Sequence, residues 1–155
     1  MRFVGQLFVG FVLLFWIGGA AAGEGKQNLG PGHMALKGYD PVSYQTQNAA
    51  IPGSAEFSAE FDGATYRFAS ASNRDAFREN PALYVPAFGG YCAMGMAFGQ
   101  KIDVDPRAFR VVDERLYLNL NSDVQARWLQ DVPGNLARAN RHWSTIAGQP
   151  PAAGR

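Results

Sequence analysis

The sequence holds a single cysteine, Cys92, and two histidines, His33 and His142. One cysteine cannot close an internal disulfide or run a dithiol cycle within the chain, so stability has to come from packing. The histidines stand far apart with no metal-ligand spacing, which disfavours a zinc enzyme site. Charged residues make up only 17% of the chain and Lys and Arg form no block. Neither nucleic acid nor an anionic membrane surface is therefore an expected partner. Gly-x-Ser-x-Gly, a phosphate loop and a dinucleotide fingerprint are all missing, which removes the commonest hydrolase and nucleotide readings. What the chain does have is aromatic bulk, with 11 Phe, 6 Tyr and 3 Trp to fill a core.

The long apolar run is N-terminal. Arg2 precedes residues 3–17, which are apolar apart from Gln6 and the glycines, and Ala20, Ala21 and Ala22 follow. This order predicts a secretory signal over residues 1–22, cut before Gly23. Residues 3–22 are also just long enough for an uncleaved anchor, but the Ala-rich end is a processing signature. A lipoprotein is not expected, since the only cysteine lies far from the cut. Loss of Arg2 takes the formal charge from +1 to zero. The expected location is outside the cytoplasm, periplasmic or secreted, with no membrane partner after cleavage.

Residues 23–34 are polar and glycine-rich and predict a flexible lead. Asp40 followed by Pro41 predicts an N-cap and first helical residue. Residues 56–61 alternate, with Phe57, Ala59 and Phe61 on one face, and Asp62-Gly63 then predicts a hairpin turn into residues 64–68. Ser70 or Ser72 can cap a short helix through Phe77, ended by Pro81. Asp105-Pro106 repeats the cap-then-proline pattern. Residues 109–112 and 116–120 predict a second hairpin around Asp113-Glu114-Arg115, with no sequence repeat between the two hairpins. Val124 and Trp128 suit a helix over residues 123–131, and Pro133 opens a last helix carrying Leu136, Ala139 and Trp143. Residues 147–155 read as a disordered tail. The expected fold is α+β: one small domain, residues 35–146, of two β-hairpins and several short helices.

Three runs together resemble the YHS domain family: Lys37-Gly38-Tyr39-Asp40-Pro41-Val42-Ser43-Tyr44, Phe61-Asp62-Gly63-Ala64-Thr65-Tyr66-Arg67-Phe68-Ala69-Ser70, and Phe77 with Pro81-Ala82-Leu83-Tyr84. Gly89-Gly90-Tyr91-Cys92-Ala93 and Asp105-Pro106-Arg107-Ala108-Phe109 are similar to the exported, single-domain branch of that family. The resemblance implies a small metal-associated domain. It also implies cysteines at three positions that here hold Ser43, Ala69 and Asn73, which are poor substitutes for thiolates toward a soft ion.

Cys92 lies among glycines with Met94 and Met96. Thiolate and thioether are the donors that select copper(I) and similar ions. Cys92 and Met96 share a face in a helix or a strand, whereas Met94 joins them only in an extended segment. The competing reading makes Cys92 a small buried hydrophobe and the methionines gap-fillers. The expected function is that of an exported, non-catalytic binding domain for a soft metal ion such as copper, or a small ligand, near Cys92. The alternatives are a thiol enzyme or redox protein using Cys92, with His142 or His33 as base, and a purely structural or partner-binding module.

Overall fold

The computed structural model describes residues 25–152, so the expected signal peptide lies outside the described residues. The stretch read as a flexible lead enters the sheet. Leu29–Gly30 (β1) pairs antiparallel with Met34–Ala35 (β2), the chain reversing through Pro31–His33 with Gly32 left-handed. Two features organise a segment that looked too polar to order. Leu29 packs on the core, and the Asn28 backbone N–H donates to the Gly89 carbonyl at 2.8 Å.

Asp40 and Pro41 start the first helix as the sequence predicts. Pro41–Thr46 (α1) has Asp40 as its N-cap, accepting the Val42 and Ser43 backbone N–H groups. Ser54–Phe61 (β3) and Ala64–Phe68 (β4) form the first hairpin, with φ of 49° at Asp62 and 76° at Gly63. Two positive values define a type I′ turn, whose twist matches the strands. Ala59, Ala64, Tyr66 and Phe68 are buried, but Phe61 is 37% exposed at the hairpin tip, where its ring meets Phe77 edge-on. The four-stranded sheet runs β1-β2-β4-β3. Ser70 caps Ala71–Glu79 (α2), and Pro81–Tyr84 (α3) follows.

Ala93–Ala97 (α4) opens the second half, followed by the hairpin Asp105–Val112 (β5) and Arg115–Asn119 (β6). Asp105-Pro106 thus begins a strand, not a helix. Asp105 accepts the Arg107 N–H at 2.9 Å and its guanidinium, a local turn that leaves the backbone extended. Proline is tolerated at a strand's start, where the ladder does not need its missing N–H. Ser122–Trp128 (α5), capped by Asn121, and Val132–Ile146 (α6), capped by Asp131, complete the chain. One face of the β5–β6 hairpin, carrying Leu116 and Leu118, enters the first core cluster. Tyr117 and Val112 pack on the second cluster, which is built around Trp128, Met96 and Ala139.

The two halves repeat one backbone design that their sequences do not share. Each begins with three left-handed residues, Leu36-Lys37-Gly38 (φ 53°, 52°, 84°) and Phe88-Gly89-Gly90 (φ 52°, 60°, 83°). A helix-capping residue follows, Asp40 or Cys92, whose own N–H donates to Ile51 or Ile102. Then comes a hairpin of eight-residue and five-residue strands, with a bulge at the same place in each. A capped helix closes each unit, burying Phe77 in one and Trp128 in the other.

The described part of the expected tail, residues 147–152, meets the lead. Lys101 Nζ donates to the carbonyls of Gly25, Ala147 and Gln149, and sits 5.3 Å and 5.4 Å from the centres of the Tyr91 and Trp143 rings. Burial pushes the Lys101 amine below its ordinary pKa, but the carbonyls and ring faces all favour the cation. No helix among the described residues is long and apolar enough to cross a membrane.

The turns carry a testable asymmetry. A Cβ at Gly63 meets nothing within 4 Å, so substitution there strains only the backbone. Gly63→Val is expected to lower stability by about 1 kcal/mol. Gly89→Ala is expected to cost more, because its Cβ would run into the Lys26 carbonyl. Urea denaturation midpoints check both, and an unchanged midpoint for Gly63→Val contradicts the turn.

Candidate functional site

Among the described residues, chemistry-bearing side chains gather at Asp40, at Cys92 and in a cleft beside β1 and β2. The first is Asp40, which is fully buried. Its Oδ1 accepts the Val42 N–H at 2.8 Å and the Ser43 N–H at 3.4 Å, and its Oδ2 accepts the Ala69 N–H at 2.8 Å and the Asn73 side-chain amide at 2.6 Å. The Ser43 hydroxyl lies 2.8 Å from both the Asp40 and Ala49 carbonyl oxygens. The positions where the resemblance implies thiols, Ser43, Ala69 and Asn73, therefore do converge. They converge on a carboxylate as hydrogen-bond donors. A methyl group, a hydroxyl already placed on carbonyls and an amide donating through nitrogen do not fit a soft cation. Tyr44 ties this unit to β5 by donating to the Pro106 carbonyl at 3.0 Å. Burial, reinforced by Tyr39, Asp105 and Asp40, pushes its phenol far above the ordinary pKa, so it remains a donor.

The second place is Cys92, which occupies in the second unit the position of Asp40 in the first. It is 1% exposed. Its sulfur accepts the Gly95 N–H at 3.3 Å, and its thiol donates to Asn119 Oδ1 at 3.8 Å. Asn119 Oδ1 also takes the Met94 N–H at 3.3 Å, which fixes the orientation of the side-chain amide. The buried group that Asn119 has left is its Nδ2, a donor, which cannot ligate a cation. The four-residue spacing of Cys92 and Met96 does not bring their side chains into one cluster. Cys92 packs into the first core and the fully buried Met96 into the second, while the half-buried Met94 touches both. His33 Nδ1 lies 3.0 Å from the Gly63 carbonyl and His142 stands against Gly99, so neither histidine is among the hydrogen-bond partners of Cys92. Among the described residues no three of His, Cys, Asp and Glu stand together as a metal group.

The third place is a cleft of about 540 Å³ between the β1–β2 edge and the segment around Asp103 and Val104. Leu29, Met34, Leu36 and Val104 give it apolar walls, and Lys37, Arg67 and Asp103 give it charge. The left-handed loop of the first unit delivers Lys37, a non-glycine residue held at φ 52°. Lys37 Nζ meets Asp103 Oδ2 at 2.7 Å, and Asn28 Nδ2 donates to Asp103 Oδ1 at 2.9 Å. Partial burial raises the Asp103 pKa, but the bonds from Lys37, Asn28 and the Val104 backbone outweigh it and hold the carboxyl below its ordinary value. Arg67, on β4, is half-buried and forms no ion pair among the described residues. Its aliphatic stem passes Gly38, where a Cβ would lie 3.7 Å from Arg67 Cδ and 3.9 Å from Met34 Sδ.

Sequence reasoning did not single out this cleft. Lys37 and Arg67 appeared only as members of motif runs, and Asp103 belongs to no motif. Alternation along β4 buries Ala64, Tyr66 and Phe68 and leaves Arg67 with Thr65 on the other face, so the pattern alone does not mark Arg67. Comparison with known proteins gives no match to any family model, curated protein or solved structure.

The paired cap positions allow a direct contrast. Asp40→Ala strands four buried or half-buried donors, and is expected to cost about 4 kcal/mol or more. Cys92→Ala loses one weak sulfur cap and is expected to cost about 1 kcal/mol. Equal losses in chemical denaturation would contradict the different roles assigned to the two caps.

Proposed function

We propose that this chain is an exported, non-catalytic, YHS-like domain that binds a small organic molecule in the cleft between the β1–β2 edge and Val104. The observation that carries the reading is the contrast among the three places. The Asp40 carboxylate is filled by its own hydrogen bonds, and the Cys92 thiol is committed to Gly95 and Asn119 inside the core. The cleft is open and walled by apolar side chains, with a few polar groups converging on it. Its volume of about 540 Å³ suits a molecule of metabolite size. Export is supported by the order of Arg2, apolar run and alanines at the N-terminus. The cleft lining includes Gly90 but not Cys92, Met94 or Met96, so this reading moves the site away from the thiol.

Amide chemical-shift mapping of the exported protein tests the reading. Mixtures of small organic fragments are expected to shift the amides of Leu29, Met34, Leu36 and Val104. Copper(I) under reducing conditions is expected to leave the melting temperature of wild type and Cys92→Ser alike, because only a ligand bound by the folded state raises it. A copper-dependent rise seen in wild type and lost in Cys92→Ser would replace the cleft with the soft-metal site. Fragment shifts confined to other surfaces would also overturn it.

A further inference from the structure

We infer that the cleft takes a small organic monoanion, a carboxylate on an apolar body, whose charged group is held by Arg67. The inference rests on the cleft being the binding site and adds the chemical class of the ligand. Lys37 is already paired with Asp103 at 2.7 Å, and Asn28 holds the other carboxylate oxygen. These charges cancel. Arg67 is left as the uncompensated cation of the lining, half-buried and with no carboxylate partner among the described residues. A guanidinium offers two parallel N–H donors, which match the two oxygens of a carboxylate better than a lysine ammonium does. Its stem runs past Gly38, where an added Cβ would lie 3.7 Å from Arg67 Cδ.

The rest of the lining sets the remainder of the ligand. Leu29, Met34, Leu36 and Val104 offer hydrocarbon contact and no further donors from their side chains. An apolar body of several carbons gains from that wall, whereas a polyhydroxylated one would be desolvated without partners. Among the described residues Arg67 is the one uncompensated cation of this lining, so a second anionic group would lose its water without gaining a partner, and the site selects one charge over two.

Titrations followed by amide shifts with octanoate, the neutral octanamide and the dianion octanedioate test this. Octanoate is expected to move the Leu29, Met34 and Val104 amides saturably, with octanamide and octanedioate each weaker by about tenfold. Arg67→Met keeps the stem and removes the charge. It is expected to weaken octanoate by about tenfold and leave octanamide unchanged. Arg67→Lys is expected to fall between the two and provides the test if Arg67→Met does not fold. Equal binding of octanoate and octanamide, or octanoate binding indifferent to both Arg67 variants, overturns the anion assignment while the cleft stands. If neither these compounds nor the fragments move the cleft amides, the cleft reading itself fails and the anion assignment with it.

Discussion

The Asp40 carboxylate is the constraint on which the first half of the molecule depends. Burying a charge is costly unless hydrogen bonds replace the lost water. Here four donors do so, and they come from three different pieces of chain: the start of α1, the residue after β4, and the first turn of α2. The Asp40 backbone N–H adds a fourth piece by donating to Ile51 at 2.8 Å. Each bond to a charged acceptor contributes more than a neutral one, roughly 1.5–3 kcal/mol. None can be removed without leaving a polar group stranded. The carboxylate therefore does mechanically what a metal ion on converging thiols would do: it fastens a helix, a hairpin and a second helix at one point. In doing so it anchors the end of β4, two residues beyond Arg67 of the cleft lining.

The second unit solves the same geometric problem with weaker chemistry. Cys92 caps α4 through one sulfur contact, and Asn119 supplies the oxygen that receives both the thiol and the Met94 N–H. Less is asked of this cap because α6 covers the unit, packing Ala139 and Trp143 against the cluster around Trp128 and Met96. Lys101 then draws the beginning and end of the described chain together over Tyr91 and Trp143. The molecule is best understood as one domain in which a hydrogen-bonded unit and an aromatic-packed unit share the β5–β6 hairpin between their cores.

Much of this was legible from sequence because it depends on local stereochemistry. Asp40-Pro41, Asp62-Gly63 and Ser70 each act within a few residues, and the cap, turn and helix appear where those residues call for them. Asp105-Pro106 misled because the same dipeptide can start a strand when the aspartate turns back on Arg107. The structural repeat stayed hidden since Asp113-Glu114 makes its left-handed turn without a glycine, and Cys92 replaces Asp40. The ordering of residues 25–34 and the cleft were not legible for a different reason. Both depend on contacts between residues far apart in the chain, Asn28 with Gly89 and Lys37 with Asp103, and no periodicity marks such pairs.

Hydrogen exchange at the Ala69 amide reads out the hold of Asp40 on the fold. Ala69 is itself an exposed residue just beyond the end of β4, so a surface position would let its N–H exchange with solvent freely. In this account that N–H is one of the four that hold the buried carboxylate. Native-state hydrogen exchange should find the Ala69 and Val42 amides opening only with global unfolding. An Ala69 amide exchanging at the rate of an open loop would contradict the role given to Asp40.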